Sequence, residues 1–173
     1  MTHFVALVVA ETEEEIEALV APYDENMEVE GYFVETDVER MVEYAKEKNQ
    51  PFENPIDLVE WWEGRGREGV VNEDGVIGFM STYNPDSKWD WYVVGGRWTG
   101  IAENDRCFAE EVPSIFEDKG YLPSVIVDAD GWHQAKDWGW FGSYTPVEGN
   151  ENIVEKKLSE HRGKNVFIVD FHI

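Results

Sequence analysis

The sequence begins with an apolar run that is followed at once by a helix pattern. Residues 3 to 10 are rich in Val and predict a buried β-strand. Thr12 and Glu15 have the spacing of a capping box, with Thr at the N-cap and Glu three residues later. The apolar stripe from Ile16 to Val20 then indicates a helix. A strand, a capped helix and a turn in this order are typical of the beginning of a ferredoxin-like α+β domain.

The rest of the chain alternates between helix and strand patterns in the same way. No linker rich in Ser, Gly or Pro marks a boundary, so we predict a single α+β domain over residues 1–173. It would have a ferredoxin-like antiparallel sheet with helices on one face and an inserted, Trp-rich β-hairpin. Helices are expected over residues 37–48, 56–63, 108–119 and 152–161, and strands over 75–83, 88–94, 122–128 and 165–171, with 75–83 and 88–94 forming the hairpin.

Charge and composition exclude several classes of protein. The 37 acidic and 14 basic residues give a formal net charge of -23, which disfavours direct binding to nucleic-acid backbones. No run approaches the roughly 20 apolar residues of a membrane helix, and the N-terminus lacks the basic segment of a signal peptide. We therefore expect a cytoplasmic protein without membrane contact. The single cysteine, Cys107, excludes an internal disulfide and is expected to be buried and inert.

The middle of the chain concentrates aromatic residues and the few basic ones. All eight Trp lie between residues 61 and 140, within a Trp-rich section of about 56–145. Aromatic rings stack on bases with about 1–3 kcal/mol each, Arg binds phosphate in a bidentate manner, and glycine turns expose backbone N–H groups to anions. This combination predicts a site for a nucleotide-like ligand. The predicted binding residues are Lys88, Asp90, Tyr92, Gly95, Gly96, Arg97, Trp98, His133, Trp138 and Trp140.

A purely structural interpretation of the same residues stays open. Trp89 and Trp91 would share one face of a strand, and we expect that face to belong to the core. Asp90 and Arg97 could form an internal ion pair instead of contacting a ligand. His133 is expected at the surface, with a mixed metal site together with Asp128 and Asp130 as the alternative.

No pattern indicates catalysis, a metal or a cofactor. The four histidines lack the HxH and HExxH spacings, and no GxSxG or Cys-His arrangement occurs. Gly64, Gly66 and Gly69 match GxGxxG formally, but they follow a predicted helix where a dinucleotide fingerprint follows a strand. We therefore predict no catalytic residue, no metal site and no cofactor.

The segment Asn84–Trp98 carries a resemblance to a known family. Its sequence, NPDSKWDWYVVGGRW, fits the pattern N-P-x-[SA]-K-W-D-W-Y-x-x-G-G-R-W. In this it resembles an uncharacterised family encoded by bacteriophages and some actinobacteria. The resemblance implies a small acidic phage protein in the host cytoplasm. Such proteins counter host defence as nucleic-acid mimics or by sequestering nucleotide signals.

The function predicted from the sequence is that of a non-enzymatic binding protein that sequesters a small anionic, nucleotide-like molecule. The first alternative is an inhibitor whose acidic surface mimics nucleic acid and binds a host protein. The second is an enzyme acting on a nucleotide, with Asp90 or His133 as acid–base residue. An exposed edge strand would also allow a homodimer.

Overall fold

The structure is a computed structural model that describes residues 2–64, 66–138 and 144–173, with Trp138 described by its backbone. It is a mixed α+β structure with a mainly antiparallel sheet. The chain forms two compact units, one of Met1–Met27 with Pro85–Ile173 and one of Glu28–Asn84. The strands are β1 (His3–Val9), β2 (Tyr32–Glu35), β3 (Gly69–Val71), β4 (Ile77–Ser81), β5 (Trp91–Val94), β6 (Arg106–Phe108), β7 (Val125–Asp128), β8 (Gly131–Gln134), β9 (Lys136–Trp138), β10 (Tyr144–Pro146) and β11 (Asn165–His172). The helices are α1 (Glu14–Val20), α2 (Val38–Glu47), α3 (Val59–Glu63), α4 (Val112–Ile115) and α5 (Ile153–Glu160).

The main sheet of the first unit has the strand order β5-β11-β1-β7-β8, and β6 pairs with the first part of β11. The first and last strands of the chain pair antiparallel over their whole length, from His3 opposite His172 to Val9 opposite Val166. β7 lies parallel to β1 on its other side. The predicted strands at both chain ends are thus confirmed, and together they form the centre of the sheet.

Helices cover both faces of this sheet, so the prediction of helices on one face is wrong. On one face, Ile16 of α1 packs with Ala6 and neighbouring apolar residues. On the other face, Leu7 packs in one cluster with Val112 of α4 and Leu158 of α5. The reason lies in β1, whose apolar run is continuous where a one-sided sheet would alternate. Such a run needs both faces covered.

The strand order also differs from a ferredoxin-like sheet. In that fold the βαβ unit is split, so that another strand lies between the two parallel strands. Here Leu7 pairs directly with Ile126 and Val8 with Val127, so β1 and β7 are neighbours. The observed order therefore replaces the predicted ferredoxin-like topology.

The predicted Trp-rich hairpin does not form, because its two strands pair elsewhere. β4 pairs with β2 and β3 in the second unit. β5 pairs with β11 in the first unit, with Tyr92 opposite Phe171. Sequence neighbours with a turn between them suggested a hairpin, but the long apolar strand β11 offers β5 a partner that local patterns do not reveal.

The second unit is a small antiparallel sheet, β2-β4-β3, with its own apolar core. Met41 of α2, Val59 of α3 and Phe79 of β4 are buried together in that core. The predicted start of α2 is confirmed, since the Asp37 side chain accepts a hydrogen bond from the backbone N–H of Arg40.

Candidate functional site

The predicted binding residues fall into separate places in the first unit. Gly95 to Trp98 follow β5 at one edge of the main sheet, and His133 lies on β8 at the opposite edge. Tyr92 packs on Trp89 and Phe171, on the α1 face. The side chain of Trp138 and all of Trp140 lie outside the described residues.

The turn after β5 is built on two glycines with positive φ. Gly95 has φ 74° and Gly96 has φ 55°, a region that favours glycine. A Cβ on Gly96 would lie 2.5 Å from Cβ of Asp170, so only glycine lets the chain pass this close to β11. The backbone N–H of Arg97 donates to Oδ2 of Asp170 at 3.0 Å. The turn is therefore held against the last strand.

Asp170 is a buried carboxylate that also orients His3. Its Oδ1 accepts a hydrogen bond from Nδ1 of His3 at 2.9 Å. Because the carboxylate can only accept, His3 carries its proton on Nδ1 when neutral, which leaves Nε2 as an acceptor. The His3 ring also contacts His172 and Trp91 edge-on, at 5.0 and 5.1 Å between centroids.

The two tryptophans before the turn have different roles, so the prediction of a shared core face is half wrong. Trp89 is 8% exposed, and its indole N–H donates to the carbonyl of Val20 at 3.0 Å. Trp91 is 43% exposed and stacks on His172. Trp89 precedes the strand and forms an isolated bridge with Asp24, so strand alternation does not place these two side chains.

The alternative ion pair between Asp90 and Arg97 is not formed. Asp90 instead accepts a hydrogen bond from Nδ1 of His172 at 2.6 Å. Arg97 is exposed, and its guanidinium forms no ion pair within the part of the chain that the structure describes. Lys88 is half-buried, before the start of β5.

A cleft of about 250 Å³ opens beside this turn, lined by the start of β1, by the segment before β7 and by residues of the paired strands β9 and β10. Its wall combines three aromatic side chains with a lysine and the oriented imidazole of β1. Trp98 donates its indole N–H to the hydroxyl of Tyr121 at 3.0 Å, which fixes two of the rings. The side chains that carry its chemistry are those of His3, Trp98, Tyr121, Ser124, Lys136 and Tyr144. We call this the Trp98 cleft.

A second polar cluster surrounds Asp128 at the end of β7. This buried carboxylate accepts from Nε2 of His133 at 3.0 Å, from Nε2 of His161 at 2.7 Å and from Nζ of Lys157 at 3.0 Å. Burial alone would raise the pKa of Asp128, but the hydrogen bonds from His161, Lys157, His133 and the Asp130 backbone hold it well below its ordinary value. Burial would likewise lower the pKa of Lys157, but hydrogen bonds to Asp128 and Asp130 raise it to about 12.

The Asp128 cluster anchors α5 to β7 and does not adjoin the Trp98 cleft. The acceptor sites of the carboxylate are used by groups of the chain itself, so His133 already has a structural partner. The described residues contain no group of His, Cys, Asp and Glu side chains that could hold a metal ion. The cluster is therefore best explained as a buried polar anchor.

Trp98 is a predicted site residue, but four of its partners in the cleft are not. His3, Tyr121, Lys136 and Tyr144 are distant from Trp98 in the chain, and only the strand order brings them together. The grouping of basic and aromatic residues around 132–140 was the signal for Lys136. His3 and Tyr121 had no such signal, because neither lies in a group of basic and aromatic residues in the sequence.

The site defines the protein as an α+β protein with an aromatic cleft beside a glycine turn. Comparisons of the chain with protein families, with curated proteins and with solved structures found no match. In the part of the chain that the structure describes, no helix has the length and apolar character to cross a membrane.

Proposed function

We propose that this protein is a non-enzymatic binding protein that takes a small anionic, nucleotide-like ligand into the Trp98 cleft. The observation that carries the proposal is the convergence of three aromatic rings with Lys136 in one cleft of a strongly acidic chain. Aromatic faces are suited to a planar base, and a lysine is suited to a phosphate.

The size of the cleft fits part of such a ligand. Small-molecule sites occupy roughly 300–1,000 Å³, and the Trp98 cleft has about 250 Å³. A planar ring system can therefore lie between the aromatic walls while the charged group stays at the rim. Stacking on Trp98 or a Tyr contributes about 1–3 kcal/mol per base, so one or two stacked faces give measurable affinity.

The electrostatics select an anion locally although the whole chain is negative. Lys136 supplies a positive charge at the cleft, and His3 adds a second one when it is protonated. With a net charge of -23, the rest of the surface repels anions, so binding depends on these side chains. Removing the charge of Lys136 should therefore affect binding of a phosphate more than binding of a neutral base.

The resemblance of Asn84–Trp98 to a phage family suggests the biological setting. We propose a counter-defence role, in which the protein sequesters a nucleotide signal in the host cytoplasm. Trp98 and the two glycines of the motif form the turn beside the cleft, which links the motif to the proposed site. A binder of this kind needs affinity and no turnover.

Calorimetry against a panel of linear and cyclic nucleotides tests the proposal. We expect at least one member to bind with one ligand per chain, and Trp98→Leu to weaken its binding at least tenfold. The matched control is Trp61→Leu, which removes a partly exposed indole from the second unit and should leave the affinity unchanged. Folded protein that responds to no member of the panel would overturn the proposal, as would chemical turnover of the nucleotide.

A further inference from the structure

A second cleft lies in the unit Glu28–Asn84. It is lined by two carboxylates, whereas the Trp98 cleft is lined by a lysine. The second cleft has a volume of about 630 Å³ and lies between α2 and α3. Three aromatic rings and two carboxylates line it, together with one arginine. Its lining residues are Arg40, Glu43, Tyr44, Glu47, Trp61 and Trp62. We call it the Tyr44 cleft, and it is independent of the Trp98 cleft.

The rings of this cleft form a cluster that is open to solvent. The centroids of Tyr44 and Trp62 are 5.6 Å apart, those of Tyr44 and Trp61 are 5.9 Å apart, and those of the two indoles are 6.5 Å apart. Tyr44 is 42% and Trp61 38% exposed. The apolar core of the unit is formed by other residues, such as Met41 and Phe79. The exposed rings are thus available to a ligand.

Two of these rings already make cation–π contacts with side chains of the protein itself. The guanidinium of Arg40 lies over the Trp62 ring at 5.9 Å from its centroid, and the ammonium of Lys48 lies over the Tyr44 ring at 5.1 Å. Both distances are within the range of cation–π attraction. For Trp61 no such contact with a cation of the described residues is present. Trp61 is 38% exposed, so a cation of a ligand can approach it from the solvent.

Two carboxylates stand beside the rings on the same face of α2. Glu43 and Glu47 are exposed, one helical turn apart, and neither forms an ion pair within the described part of the chain. Like charges at this spacing destabilise a helix, and a bound cation would relieve their repulsion. Aromatic faces next to unpaired carboxylates are the chemistry that recognises organic cations.

We propose that the Tyr44 cleft binds an arginine or lysine side chain presented by a peptide segment of a partner protein. The cleft is large enough for a long side chain with adjoining backbone, since its volume lies within the range of sites for drug-sized molecules. The net charge of -23 attracts a basic segment over distance and the aromatic cluster then selects its side chain.

The test titrates the full chain with a nine-residue peptide that contains three arginines, at physiological salt. The matched probe is the same peptide with each arginine replaced by citrulline, which keeps the shape and removes the charge. We expect the arginine peptide to bind, with NMR shifts of the Trp61 and Trp62 indole N–H signals, and the citrulline peptide to bind at least tenfold more weakly. Equal binding of the two peptides would overturn the proposal.

Variants separate the cleft from general attraction to an acidic surface. Trp61→Leu keeps all charges and should weaken peptide binding at least fivefold, and Glu47→Gln should do the same. Glu73→Gln removes the same charge in an exposed turn and should have no effect. Arg40→Gln should strengthen binding, because it frees the Trp62 face. If Trp61→Leu and Glu73→Gln behave alike, the proposal fails.

Two further measurements test whether the cation must be part of a peptide and whether the Tyr44 cleft is the site that binds it. Tetramethylammonium should bind at least tenfold more weakly than the peptide. Equally tight binding would overturn the proposal that the ligand is a peptide. Trp98→Leu should leave peptide binding intact, so that failure of one cleft does not decide the other. Circular dichroism of each variant confirms that it is folded.

Discussion

Nδ1 of His3 lies 2.9 Å from Oδ1 of Asp170, and this bond joins the first strand of the chain to the last beside the Trp98 cleft. The second oxygen of the same carboxylate holds the backbone of Arg97. One buried side chain thus fixes the imidazole that lines the cleft and the turn that presents Trp98. The geometry of the proposed ligand site depends on Asp170, although no ligand would contact it.

Replacing Asp170 with Asn should loosen both attachments. The backbone N–H of Arg97 can only donate, so it keeps the one oxygen of the amide, and the NH2 group replaces the oxygen that faces Nδ1 of His3. The charge-assisted character of both hydrogen bonds is lost. We expect the free energy of unfolding in urea to fall by about 1–3 kcal/mol. We also expect His3 to change to the Nε2–H tautomer, visible by nitrogen NMR. Asp118→Asn is the control at an exposed position. An unchanged tautomer would contradict this account of Asp170.

Gly96→Ala should be much more destabilising than Gly100→Ala. Both glycines have positive φ, 55° and 86°, so both substitutions introduce backbone strain. At Gly96 the new Cβ would also meet Asp170, whereas at Gly100 nothing lies within 4 Å. We expect an additional loss of about 1–3 kcal/mol for Gly96→Ala in urea denaturation. Equal losses at the two positions would show that the turn does not need the close approach.

Asp128→Asn should remove the anchor of α5. Because it leaves Lys157 buried without its main partner, we expect a loss of about 3–5 kcal/mol in stability. Asp130→Asn is the matched control, since its carboxylate is 78% exposed and its contact with Lys157 should contribute less than about 1 kcal/mol.

The same variant should change how stability depends on pH. An ordinary Asp has a pKa of 3.8, and that of Asp128 is lower in the folded state. Its contribution is therefore fully present above the ordinary pKa and is lost as the pH falls through the folded-state pKa. Urea midpoints of the wild type should decline below about pH 4, and Asp128→Asn should decline less. Parallel curves for the two proteins would contradict the assignment.

Local sequence patterns predicted several helices and strands correctly, but they did not predict which strands pair. The strand at residues 3–10, the Asp37 cap of α2 and the helix near 152–161 are confirmed because each depends on neighbouring residues. The predicted capping box at Thr12 is wrong, since the N-cap is Glu13, without a side-chain cap, and the Glu15 carboxylate accepts from the backbone N–H of Glu11. The pairing of β5 with β11 joins residues far apart in the chain, which no local pattern encodes.

Only part of the candidate site could be predicted, because the rest depends on which strands pair. The Gly-Gly turn and Trp98 were recognised from their composition, and the structure places them beside a cleft. His3 enters that cleft because β1 pairs with β11, so its role follows from sheet register. Trp89 is in the core and Trp91 is at the surface because β5 begins at Trp91. A pattern of alternating residues does not predict where a strand begins.

Cys107 should react slowly with alkylating reagents. Burial, with a smaller contribution from Glu111, raises the pKa of its thiol to about 12. Because the thiolate is the nucleophile, alkylation by iodoacetamide at pH 8 should be at least about a hundredfold slower in the folded protein than in urea. Mass spectrometry follows both reactions, and similar rates would show that the thiol is activated in the fold.

The most direct test of the proposed function compares a nucleoside 5′-monophosphate with its nucleoside, using the base that the nucleotide panel selects. Calorimetry would measure both affinities for the wild type, for Lys136→Gln and for Lys156→Gln, whose lysine is 68% exposed on α5. We predict that the wild type and Lys156→Gln prefer the nucleotide by at least about tenfold, the effect of one charge-assisted hydrogen bond. Lys136→Gln should lose this preference and keep the affinity for the nucleoside. Binding of the nucleotide by Lys136→Gln as tightly as by the wild type would contradict the Trp98 cleft as the ligand site.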